Sequence, residues 1–219
     1  MNRLISHTPS GRLPFSGKRI QYFFLPQIEA FASQLLLHSL PEHLYYHNLT
    51  HSREVAAAAY EIGKKEGLSD RELEIVQIAG WLHDVGFTET YDGHEAKGIE
   101  IAQEFLLYIG YPEKDIQSVT GCILATRMPQ SPQNKLEEVL CDADLYHLST
   151  SSFFHKLGLL RREWNYYRNE NCTEPEWIRI NFDFLSGQRY FTRFGQTVLA
   201  AGLAQNLDQL LRIAGIAGG

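Results

Sequence analysis

The chain has 219 residues, 44% hydrophobic and 21% charged, a composition close to an average soluble domain that excludes disordered and fibrous classes. Twenty Lys and Arg against 26 Asp and Glu leave a net charge of -6, so the surface offers no general attraction for nucleic acid polymers or an anionic membrane. An anionic ligand therefore needs a local cation.

Apolar residues recur at three- and four-residue intervals nearly throughout, and sustained strand-type alternation is hard to find, so the expected class is all-α. Residues 1–16 look like a flexible N-terminal arm, with 17–219 forming a single helical domain that shows neither internal repeat nor linker. A first helix is expected over about 21–40, before Pro41. After the polar-aromatic EHLYYHN, a second runs through HSREVAAAAYEIGKKEG and ends at Lys64, Lys65 and Gly67. Ser69 with Glu72 forms a capping-box pattern that opens a third, apolar on most sides through Trp81 and Leu82 and stopping near Gly86. Asp92 with Glu95 repeats the pattern before HEAKGIEIAQEFLLYIG, and Pro112 suits the first turn of a helix reaching about Thr126. MPQSPQN forms a loop, and from about Lys135 a helix carries KLEEVLCDADLYHLS. Thr173, with Pro175 and Glu176, starts a later helix, and a last one is expected from about Gly187 to Ile213. Its Leu199, Leu203, Leu207, Leu210 and Leu211 can complete the core or meet a second copy in a homodimer.

No run approaches the roughly 18 apolar residues of a membrane span, and the N-terminus lacks the apolar centre of a signal peptide, so a cytoplasmic location without membrane contact is expected. Cys122, Cys141 and Cys172 are odd in number and widely spaced, which leaves imidazole and carboxylate to hold any metal. In helical bundles such sites use inward side chains from different helices. His51 lies one turn before Val55 on the stripe of Ala58, Ala59 and Ile62, and His83 lies one turn after Ala79, with Asp84 following at once. Asp144 shares a stripe with Leu140, Cys141 and Leu148, whereas Asp142 shares a face with Glu138, Val139 and Tyr146. Asp144 is thus the better inward carboxylate, and Asp142 is expected to be solvated. A buried carboxylate facing two imidazoles and a second carboxylate is what a divalent cation requires.

Taken in order, YHNLTH, GWLHDVG, DGHE and VLCDADL resemble the HD-domain superfamily of metal-dependent phosphohydrolases, over about residues 42–150. By motif order the resemblance assigns His51, His83, Asp84 and Asp144 as metal ligands. YHNLTH is also similar to the opening of the cyclic-nucleotide phosphodiesterase motif, in which the earlier His, here His47, protonates the leaving oxygen. The block ATRMPQSPQNKLEEVLCDADL resembles a bacterial subgroup of HD phosphohydrolases with unassigned substrates. Two-metal members use two further His before the last Asp, and this chain offers only His94 before Arg127, so one tightly held divalent ion is expected. The candidates Mn, Fe, Co, Ni, Mg and Zn are not distinguished. His94 is left either as ligand of a weaker second ion or as a hydrogen-bond donor to substrate.

The implied function is cleavage of a phosphomonoester or phosphodiester of a small molecule, a nucleotide foremost, by metal-activated water. Asp84 or Asp144 would orient or deprotonate that water, and His47 would act as the acid. Arg127 is the preferred cation for phosphate, ahead of Lys97 and the Arg161 and Arg162 pair. Two other readings stand beside this one: a sensor that binds a nucleotide through the metal without turnover, and a di-iron oxygenase, against which the shortage of central His argues. The spacing of Phe153, Leu157, Leu160 and Trp164 fits core packing, and His147 and His155 fit structural or surface roles.

Overall fold

Helix formation and burial converge on one central element. The computed structural model describes residues 24–168 and 171–213, so the expected arm over 1–16 lies outside the described residues. It contains α1 (Phe24–Ser39), α2 (Leu49–Lys65), α3 (Asp70–Leu82), α4 (His94–Tyr108), α5 (Glu113–Ala125), α6 (Lys135–Asp144), α7 (Phe153–Tyr167), α8 (Glu174–Gly187) and α9 (Ala200–Ile213). Among the described residues there is no strand, and the all-α class holds. Short 3-10 turns follow α3 (Val85–Thr88) and α6 (Tyr146–Ser149), and a π-helical turn (Gly195–Leu199) precedes α9.

The apolar character of α3 places it at the centre: Leu73, Ile75, Val76, Ile78, Ala79, Trp81 and Leu82 are all buried, and α1, α2, α5 and α6 pack around it. Its capping box forms as expected, Ser69 accepting from Glu72 N–H while the Glu72 carboxylate takes the Ser69 N–H. Gly80 sets the α2–α3 distance, since a Cβ there would lie 2.7 Å from Ala56 Cα and 2.8 Å from its N. The leucine stripe near the C-terminus completes this chain's own core: Leu199, Leu203 and Leu210 are buried and Leu207 packs against them. No helix among the described residues is long and apolar enough to cross a membrane.

Four local expectations are corrected. Asp92 and Glu95 form no capping box, because the residue preceding α4 is Gly93 in the left-handed region (φ 73°) and no side chain caps it. Pro112 sits just before α5 rather than in its first turn. The helix of KLEEVLCDAD ends at Asp144, and the following YHLS forms the 3-10 turn. Gly187 ends α8 instead of opening the last helix. That helix is started by Thr192, whose Oγ1 accepts the Gly195 N–H at 2.9 Å and whose carbonyl accepts the Gln196 N–H at 2.9 Å.

Candidate active site

Four helix ends meet at one point. His51 lies in the first turn of α2, where the Asn48 side chain caps Thr50 N–H (2.8 Å) and His51 N–H (3.3 Å). His83 and Asp84 follow the last residue of α3, Asp144 ends α6, and His94 begins α4. His51 Nε2 lies 3.2 Å from Asp144 Oδ1 and 3.4 Å from Asp84 Oδ2. His83 Nε2 lies 3.2 Å from Asp84 Oδ2 and 3.6 Å from Asp144 Oδ1. Ligand atoms of His51, His83 and Asp144 fall within 4.8 Å of one another, so these residues can hold a metal ion, and Asp84 adjoins both imidazoles. His94 Nε2 reaches the other oxygen of Asp84 at 3.7 Å.

The donor set fits a divalent cation. His83 Nδ1 donates to the Gly80 carbonyl at 2.9 Å, which turns Nε2 into the centre. Despite the 3.2 Å approach, His83 Nε2 and Asp84 Oδ2 are both buried without a hydrogen-bond partner, a costly condition that a coordinated ion removes. His94 is oriented in the same manner, Nδ1 donating to the Tyr91 carbonyl at 3.1 Å. Burial pulls the His83 pKa down, but the charges of Asp84 and Asp144 outweigh it and raise the value well above the ordinary imidazole range. His51 is shifted the other way, burial prevailing over the same two carboxylates. Burial likewise pushes Asp84 and Asp144 up, and the facing imidazoles more than reverse it, holding both carboxyls low.

His47 is set apart from the ligands and faces them. Its Nδ1 contacts Glu163 Oε1, and Glu163, fully buried on α7, also accepts the backbone N–H of Tyr46 (3.0 Å) and of His47 (3.2 Å) and the Tyr91 hydroxyl (3.3 Å). Burial lowers the His47 pKa, and the Glu163 hydrogen bond and charge overcome it, so the net shift is upward. Burial opposes ionisation of Glu163, yet His47 and the two N–H donors leave its carboxyl below the ordinary value. Phe87, in the turn after the doublet, stacks with both His47 (centroids 4.4 Å) and His94 (3.7 Å). Sequence reasoning named neither Glu163 nor Phe87.

A cleft of about 420 Å³ opens from Asp144 and His47 and is walled by Leu157, Leu160 and Trp164 of α7 and by Ile180, Phe184 and Leu185 of α8. Trp164 and its stripe, expected as packing, thus also line a cavity. Arg127 lies exposed on the cleft lining, in company with His94. Lys97 is ion-paired with Glu100 and Glu89, Arg161 with Glu174, and Arg162 lies over the Tyr45 ring, so these three are engaged elsewhere. Asp142 is not solvated: it is 1% exposed and accepts the N–H groups of Phe191 (2.8 Å) and Thr192 (2.9 Å) and the Thr192 hydroxyl (2.7 Å). It clamps the chain before α9, and Asp144 alone of the two faces the centre. His155 is exposed, and His147, held down to about 3 by burial and by the charges of His51 and Lys156, is a neutral ring bonded to the Tyr46 hydroxyl and the Asp144 carbonyl.

The protein family described as HD domain matches residues 48–149. The fold is similar to that of a predicted HD superfamily hydrolase from an uncultured Thermotogales bacterium, with TM-score 0.59 and 18% identity over 89% of this chain and 93% of that one. It is also similar to a structural-genomics target from Lactobacillus plantarum, with TM-score 0.63 and 18% identity over 87% of this chain and 95% of that one. No curated protein matches the chain.

Proposed function

We propose that this chain, whose residues 48–149 match the HD domain family, is a metal-dependent phosphohydrolase, cleaving a phosphate ester of a small molecule, a nucleotide foremost, by attack of water. The observation that carries this reading is the pair of buried atoms without hydrogen-bond partners, His83 Nε2 and Asp84 Oδ2, at the meeting point of two imidazoles and two carboxylates. His51, His83, Asp84 and Asp144 would hold the ion. A divalent cation there supplies two things: a lowered pKa for water and neutralisation of phosphoryl oxygens. The mixed nitrogen and oxygen set suits manganese, iron, cobalt or nickel, with magnesium and zinc as further candidates.

The protein's own groups then divide the work. Asp84, with Oδ1 turned towards His94, is placed to orient the attacking water and accept its proton. His47 has Nδ1 engaged by Glu163, so the proton it delivers to the leaving oxygen is the one on Nε2. His94 donates to a phosphoryl oxygen, and Arg127 on the cleft lining attracts the anion into a protein of net negative charge. The cleft volume suits a small ligand, and the aromatic and aliphatic wall from α7 and α8 suits a planar base.

The test is direct. Protein stripped of metal and reloaded with manganese, cobalt or nickel should release product from a nucleotide panel or a chromogenic phosphate ester, and His83→Ala should abolish release. Metal-dependent nucleotide binding with no hydrolysis across the panel would replace this reading with a sensor domain.

A further inference from the structure

We propose that Lys156 is a phosphate-binding residue of this site, its ammonium leaving Glu54 for phosphoryl oxygens when substrate enters; the proposal rests on the phosphohydrolase reading. Among the described residues Lys156 is the one Lys or Arg that is buried, at 8% exposure. A buried ammonium is costly without compensation, and the carboxylate paired with it, Glu54, is half-exposed. A pair buried at one end and open at the other can be parted, since Glu54 regains water while Lys156 gains a new anion.

The position of Lys156 selects that anion. A second cavity of about 370 Å³ is lined by His51 and further residues of α2, by Asp144 and by side chains of residues 146–152. Three residues line both spaces: Asp144, His147 and Lys156. Asp144 is a candidate metal ligand and the His147 ring is engaged by the Tyr46 hydroxyl and the Asp144 carbonyl, so Lys156 is the Lys or Arg side chain at this junction. Its Nζ lies 5.9 Å from the centre of the Tyr46 ring, and that ring lies 4.7 Å from those of both His51 and His47. Lys156, His51 and His47 thus all neighbour one aromatic ring. A flexible four-carbon stem carrying a point charge suits a phosphate that must be gripped and then released. Arg127, exposed on the cleft lining, would act earlier, on approach.

The experiment measures binding of inorganic phosphate to the manganese-loaded full chain by calorimetry, with manganese affinity followed separately by electron paramagnetic resonance. Lys156→Gln should weaken phosphate binding by about tenfold or more while manganese affinity stays within about twofold, and Lys156→Arg should restore most of the loss. Glu54→Gln should tighten phosphate binding, because the competing carboxylate is gone. Unchanged phosphate affinity in Lys156→Gln, parallel loss of phosphate and manganese, or weaker binding in Glu54→Gln would overturn the proposal. If Lys156 governs phosphate binding but no ester is hydrolysed, the anion site stands and the phosphohydrolase reading falls. If instead a Lys156→Gln protein hydrolyses esters with its phosphate affinity unaltered, the phosphohydrolase reading stands and the anion site falls.

Discussion

Glu163 has no exposed side-chain surface, yet its charge is compensated by partners from two separate segments, residues 46–47 and residue 91. In the folded state His47 is raised above its ordinary 6.5 and Glu163 lowered below its ordinary 4.5. The His47 contribution to stability is complete below 6.5 and is lost as pH rises through the raised value. The Glu163 contribution is complete above 4.5 and is lost as pH falls through the lowered one. The ion pair therefore extends the protonated range of His47 upward from its ordinary value. In Glu163→Gln the imidazole loses its negative partner, so the alkaline limb of the kcat/KM profile should move to lower pH, with manganese affinity unchanged; an unmoved limb would remove His47 from the acid role. Glu163 and Lys156 were hard to read because the apolar spacing of Phe153, Leu157, Leu160 and Trp164 drew the buried stripe of α7 about one residue aside. The residues buried are Phe153, Lys156 and Glu163. The available signal was two opposite charges at helical spacing from Phe153, and helix faces with such charges are ordinarily solvated.

Between elements, the α2–α3 contact sets the geometry of the candidate metal centre, because His51 rides on one helix and His83 leaves the end of the other. Gly80→Ala puts a methyl group against Ala56 backbone and must spread the two helices. The expected cost is about 1–3 kcal/mol of stability by denaturant unfolding, accompanied by weaker manganese binding. Unchanged metal affinity would mean that the centre tolerates the spread. The elements themselves were legible where local chemistry decides them. Ser69 with Glu72 and Thr173 with Glu176 mark helix starts that exist as capping boxes. They were illegible where a distant residue decides. The start of the last helix depends on Thr192, and Thr192 depends on Asp142, some fifty positions earlier, which periodicity had placed on a solvated face. The candidate ligands were readable for the opposite reason: they sit at helix ends beside apolar stripes, where an imidazole or carboxylate stands out.

For the whole molecule, the centre ties α2, α3 and α6 together, so occupancy should be felt as global stability. A free ion at about a hundred times its dissociation constant adds about 2.7 kcal/mol, or roughly 5–10 °C in Tm for a chain of this size. Melting curves with manganese against chelator should show that rise, and His83→Ala should not. An unmodified protein indifferent to manganese, cobalt and nickel would mean that the donor set retains no ion. Every candidate ligand lies ahead of residue 145, inside the matched segment, whereas Lys156, Glu163 and the aromatic wall all come after residue 150. The candidate ion site and the aromatic wall of the cleft thus come from separate stretches of polypeptide, so substitutions in α7 and α8 can reshape the cavity while His51, His83, Asp84 and Asp144 stay as they are.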